Sequence, residues 1–141
     1  MADKLTRREM REAAFLLLYQ LELTDGGTEQ IAEVLAECVE SFGLEANSTS
    51  VRLATGVLEN KDAINQIISK YSPTRKIERI PKINLVLLRI ALYEMDYAEE
   101  TPDKVALNEA IELSKKYGLE ADSKLISGLL GSYFKDKNNE Q

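Results

Sequence analysis

Residues 85–95, Leu85-Val86-Leu87-Leu88-Arg89-Ile90-Ala91-Leu92-Tyr93-Glu94-Met95, are apolar on nearly every side of a helix rather than along one stripe. A helix without a solvated face either crosses a membrane or is wrapped by other helices. The membrane reading fails, because the run is shorter than the roughly 20 residues that a span needs and carries Arg89 in its middle. The expectation is a central apolar helix at 82–97 that the other elements must cover. A cation so placed needs a partner, since leaving it uncompensated costs about 3–5 kcal/mol. Glu94, Glu109 and Glu112 are the candidate partners of Arg89, which is read as half of a structural ion pair, with ligand binding as the alternative.

Helix signals continue on both sides. Thr6-Arg7-Arg8-Glu9 reads as a capping box, opening a helix that runs to about Leu23. At about 100° per residue, Met10, Ala13, Ala14, Leu17 and Leu21 share one face, and Arg8, Arg11, Phe15, Tyr19 and Glu22 the opposite one. Two rings aligned with two arginines fit either a helix buried on two sides or an aromatic–basic surface for RNA or a protein. Asp25-Gly26-Gly27 makes a turn. A second helix places Ile31, Val34, Leu35, Cys38 and Phe42 on an apolar face and ends at Gly43. Its acids, Glu29, Glu33, Glu37 and Glu40, read as a solvated face.

Residues 47–50 offer several N-caps. From Val51 to about Lys70 the spacing predicts one long helix, with Gly56 as a point of close helix approach and a break near Asn60 as the alternative. Ser72-Pro73 ends it, residues 74–79 read as a short turn, and Pro81 opens the central helix. Thr101-Pro102-Asp103 starts another, closed by Gly118. Asp122 or Ser123 caps the last helix, in which Gly128 and Gly131 would admit a close neighbour. Residues 136–141 read as a disordered tail. No stretch alternates with a period of two. The expected fold is all-α, about seven helices in one 1–141 domain, with helical subdomains at about 1–71 and 72–135.

The net charge of −6 is unevenly spread. Lys4, Arg7, Arg8 and Arg11 face only Glu9 in the first segment, and Lys70, Arg75, Lys76, Arg79 and Lys82 face only Glu78 in another. A phosphate backbone responds to a patch within a Debye length of about 8–10 Å, so the acidic total does not exclude RNA. Catalysis finds little support. The chain has no histidine and one cysteine, which removes the commonest general base, the usual zinc ligand and the Ser-His and Cys-His dyads. Cys38 reads as a small core residue. Gly26-Gly27 lacks the following Lys-Ser/Thr of a phosphate loop. No cofactor and no metal are expected. The charged N-terminus resembles no signal peptide, and the expected location is cytoplasmic, with no membrane partner.

Three segments carry a family likeness. Thr6-Arg7-Arg8-Glu9-Met10-Arg11-Glu12-Ala13-Ala14 with Leu18-Tyr19, then Leu88-Arg89-Ile90-Ala91-Leu92-Tyr93-Glu94, then 102–113 with Val105-Ala106-Leu107-Asn108-Glu109-Ala110, resemble the NusB family of bacterial transcription antitermination factors. Lys116-Tyr117-Gly118 and Gly128-Leu129-Leu130 extend the likeness. It implies an all-α fold of three plus four helices that catalyses no reaction. The implied function is binding of boxA in nascent RNA, notably rRNA operon leaders, as a heterodimer with the small-subunit ribosomal protein NusE. The pair then joins RNA polymerase and other Nus factors to suppress termination.

Carried over by position, Arg7, Arg8 and Arg11, with Lys4 in the same patch, are expected to contact RNA phosphates. Asp122 and Lys124 lie in a second RNA-contacting region at 120–124. Tyr19 matches a family tyrosine that faces NusE, and Phe15 lies beside it. Asn84 stands where many members have an acid facing NusE. One departure is Leu125-Ile126-Ser127-Gly128 in place of Phe-Val-Asn-Gly, which removes a ring that contributes about 1–3 kcal/mol per stacked base in single-strand binders. A related reading is the NusB-like RNA-targeting domain of rRNA cytosine methyltransferases.

Overall fold

The structure is a computed structural model that describes residues 5–72 and 76–139. Among these, seven α-helices and two short 3-10 turns form and no strand does: α1 (Arg7–Leu23), α2 (Ile31–Phe42), α3 (Ser48–Glu59), α4 (Lys61–Tyr71), α5 (Lys82–Tyr97), α6 (Asp103–Tyr117) and α7 (Glu120–Asn139). Lys4, Arg75 and residues 140–141 of the expected tail lie outside the described residues.

The chain divides into two compact units, Met1–Glu59 and Asn60–Gln141. The single helix expected over 51–70 is two helices. Asn60 sits at φ −109° and ψ 15°, outside helical geometry, while its carbonyl accepts from the Ile64 N–H at 3.0 Å and so begins α4. Asparagine is suited to this break, because its side chain competes for local backbone partners and favours helix ends. The helices therefore divide as α1–α3 and α4–α7, with the boundary at Glu59/Asn60 instead of near residue 71.

In the first unit α1 packs on α2 and α3. Thr6 accepts from the Glu9 N–H and Glu9 from the Thr6 N–H, each at 3.0 Å, completing the capping box. These hydrogen bonds hold the Glu9 carboxyl below its ordinary value. Asn47 Oδ1 accepts from the Ser50 N–H at 2.9 Å, and the buried Ser50 hydroxyl donates to the Met10 carbonyl at 3.0 Å, fastening α3 to α1. Gly43 closes α2 in the left-handed region at φ +66°, a conformation that glycine takes without a Cβ clash. Cys38 is buried, and burial followed by the Glu37 charge raises its thiol pKa, so it is an inert core group.

In the second unit α5 packs against α4, α6 and α7. It is buried without interruption from Asn84 to Leu92, and again at Glu94 and Met95. Arg89 donates from Nε to Asn65 Oδ1 on α4 at 3.0 Å, a partner that sequence proximity does not suggest. Glu94 accepts from the Thr101 hydroxyl at 3.3 Å, so that hydroxyl joins a buried pair rather than capping α6. A Cβ at Gly128 or Gly131 would meet nothing within 4 Å. These glycines are not sites of close helix approach.

The tail expected to be disordered from 136 is helical as far as Asn139. It is held there by a polar cluster that needs four helices in place. Tyr71 donates to Asp136 at 2.7 Å, Tyr133 donates to Asp96 at 2.7 Å, and the two rings meet edge-on at 5.5 Å. Lys137 pairs with Asp103 at 3.1 Å and Asp96 at 3.5 Å, and donates to the Met95 carbonyl. Burial first, and then Asp96, push the Tyr133 phenol well above its ordinary value of 10.0. An acid held neutral by the fold contributes stability that is complete below its unfolded pKa and is lost as pH rises through the folded one. Tyr133→Phe is therefore expected to cost about 1 kcal/mol at neutral pH, the low end for a half-exposed pair. Denaturant titrations above pH 10 should show the variant losing less stability with pH than the parent protein.

Candidate nucleic-acid interface

α1 gathers most of the residues expected to function, and the structure separates them sharply. Arg7 and Arg8 occupy its first two helical positions and are exposed. The first turn of a helix carries a partial positive charge, so cations there are unfavourable by a few tenths of a kcal/mol each, roughly 0.3–1 at low salt. Glu9 offsets part of this. Two exposed arginines on a positive helix end conflict locally with helix stability.

Arg11 does not join them. It is 3% exposed, since it lies a turn further along α1 on a side that is covered. Phe15 is buried as well, at 1%. α1 is buried on two sides, so Arg11 and Phe15, expected to face RNA and a partner, both lie within the packed fold of this chain. Tyr19 remains half-exposed. Its ring stacks on that of Phe15 with centroids 6.1 Å apart and planes at 21°. Phe15 thus braces a tyrosine that is presented to solvent, and a braced aromatic side chain loses little freedom when a partner covers it.

The second unit contains the other expected residues. Asn84 is fully buried at the third helical position of α5, and its Nδ2 donates to Asp122 Oδ1 at 2.9 Å. Asp122 is at the third position of α7, where Oδ2 accepts from the Leu119 N–H at 2.6 Å. The pair ties together the starts of two helices. Asn84, expected to face a partner, is therefore not at the surface of this chain, and both oxygens of Asp122, expected to face RNA, accept internal hydrogen bonds. Gly118 explains itself here: a Cβ would lie 2.7 Å from Asp122 Oδ2 and 3.0 Å from the Ser114 carbonyl.

Lys124 is exposed on α7. Its surroundings in the chain are not apparent from sequence reasoning. Lys115 and Lys116 are exposed at the end of α6, Lys116 lies 5.4 Å from the centre of the Tyr117 ring, and Leu119 is 76% exposed in the loop that follows. Two lysines in a last helical turn read first as complements to the helix dipole, and the leucine between basic residues is the signal that could have marked a surface. Among the described residues no group of His, Cys, Asp and Glu is arranged to hold a metal ion, and no helix is long and apolar enough to cross a membrane.

Comparison with known proteins agrees with this fold. The model of the NusB family matches residues 8–135. The transcription antitermination protein NusB of Acetivibrio thermocellus is 40% identical over 134 residues, covering 93% of this chain and 90% of the relative. The solved NusB of T. maritima superposes with a TM-score of 0.79 at 32% identity, over 92% of this chain and 90% of that one. A crystal structure of antitermination factors NusB and NusE in complex with dsRNA shares the fold, with a TM-score of 0.79 at 23% identity over 92% of this chain and 96% of that one.

Proposed function

Because this chain belongs to the NusB family of transcription antitermination proteins, we propose that it binds boxA-type single-stranded RNA in nascent transcripts together with the small-subunit ribosomal protein NusE. In this role it links the transcript to RNA polymerase and other Nus factors so that terminators, notably in rRNA operons, are read through. It works in the cytoplasm and performs no chemistry. The observation that carries the reading is the pair of exposed arginines, Arg7 and Arg8, at the positive end of α1.

Two short contacts supply modest affinity alone. A partner docked on the Tyr19 side of α1 adds its own RNA-binding surface, and the second contact then forms at high effective concentration. The exposed Lys124, with Lys115 and Lys116, supplies a further basic surface in the second unit. Lys4 belongs to the same proposal as Arg7 and Arg8 through its place in the sequence. The methyltransferase-linked reading is not favoured, since the antitermination protein of Acetivibrio thermocellus is matched over 90% of its length.

Tyr19→Asp tests the partner side. Its helical circular dichroism and melting should stay within about 1 kcal/mol of the parent, as for a half-exposed position. Its affinity for NusE, measured by calorimetry, should fall by about tenfold or more, as expected for loss of an aromatic anchor. Unchanged NusE binding in a folded Tyr19→Asp protein would remove Tyr19 from the interface.

A further inference from the structure

The first unit exposes an apolar ridge on α2, a different helix from the one that carries Arg7, Arg8 and Tyr19. On α2, Val39 is 49% exposed and Phe42 is 74% exposed, and Leu35 is half-buried one turn before Val39. At about 100° per residue these three side chains fall within a sector of about 60°. Ala32 and Ala36 continue the ridge on one side and are exposed. Phe42 shares a face with the buried Ile31 and Cys38 but lies at the helix end, beyond the core that covers them.

The electrostatic setting is one-sided. Between Arg11 and Arg52 the chain has eight carboxylates and no lysine or arginine. At the same 100° per residue, Glu33 and Glu40 lie beyond Ala32 and Ala36 on the one solvent edge of the ridge and Glu37 lies on the opposite face of α2, while Glu29 precedes the helix and Glu45 follows it, all exposed. The last turn of α2 has no basic residue to complement its negative end, so the helix dipole adds to the same field. Such a field repels a phosphate backbone and attracts cations.

We propose that the Leu35–Val39–Phe42 ridge of α2 is a docking surface for a basic amphipathic segment of a second protein. Apolar anchors of that segment cover Phe42 and Val39, and lysines or arginines along its one outer edge meet Glu40 and Glu33, with the remaining acids adding to the attracting field. Grooves and ridges of this kind take amphipathic helices through anchors at three- and four-residue spacing. The charge complementarity selects a cationic protein segment over RNA.

The test uses the full chain, labelled with 15N, and three synthetic peptides of about 18 residues, long enough to be helical: leucine–lysine, leucine–glutamate and serine–lysine. The leucine–lysine peptide alone should bind, with chemical-shift changes concentrated at 32–45. Phe42→Ser and Val39→Ser, both at exposed positions, should each weaken it by about tenfold, consistent with loss of an anchor, while leaving NusE and boxA binding intact. Equal binding of the serine–lysine peptide, shifts elsewhere, or no effect of either substitution would overturn the proposal. So would a homodimer, seen by sedimentation, that Phe42→Ser dissociates, since the occupant would then be a second copy. Loss of NusE binding on Phe42→Ser would overturn it by merging this ridge with the NusE surface, whereas loss of boxA binding in the parent protein alone would bear on the RNA reading and leave the ridge untouched.

Discussion

Replacing Arg7 and Arg8 together by glutamate is expected to lower affinity for boxA RNA about a hundredfold at moderate salt, roughly tenfold for each charge-assisted hydrogen bond to phosphate that is removed. The salt dependence should flatten as well. Each phosphate neutralised on a single strand contributes about 0.7 to the slope of log affinity against log salt, so removing two makes that slope shallower by about 1.4. The substitution has an internal control. Both positions are exposed, and the cap of α1 is made by Thr6 and Glu9. Acids in a first helical turn are favourable to the helix, so the variant should melt no lower than the parent. Weak binding by a protein of undiminished stability cannot be blamed on unfolding. Unchanged affinity across a salt titration would mean that α1 does not hold the RNA.

Phe15→Ala is expected to destabilise the protein by about 3–5 kcal/mol, the range for emptying a buried phenylalanine site. Phe15 is almost completely buried in the first unit and backs the Tyr19 ring. Urea denaturation should show a midpoint well below that of the parent. If Phe15→Ala melted like the parent, the ring would have to be in solvent and the two-sided burial of α1 would be wrong.

Helix starts and stops are legible in this chain because their causes are local. Thr6 and Glu9 are three residues apart, and Gly43 closes α2 by its own φ. The break at Asn60 is harder, since the apolar period runs through it from Val57 to Ile64 and only the backbone angles at Asn60 reveal the interruption. Burial on α1 is harder still. A helical wheel ranks faces by composition, and Arg11 and Phe15 fall opposite the obvious stripe although both are buried. Conversely Phe42 shares the face of Cys38 and is exposed, because packing stops before the helix does. The pairing of Asn84 with Asp122 joins positions 38 apart, and Arg89 finds Asn65 from a different helix. Sequence spacing carries no distance information at that range. Polarity alone makes the tail look disordered, whereas Asp136 and Lys137 have partners on other helices.

The resemblance to NusB points to the function, and the structure refines which residues can serve it. Of the basic N-terminal positions, Arg7 and Arg8 are exposed and Arg11 is buried. The proposed function is recognition of boxA RNA in company with NusE. It is tested most directly by titrating labelled boxA RNA and a scrambled RNA of equal length with the chain alone and with its NusE complex at one fixed salt concentration. The complex should bind boxA more tightly than the chain alone does, and more tightly than it binds the scrambled strand. Equal affinity for the two RNAs, with no gain from NusE, would contradict it.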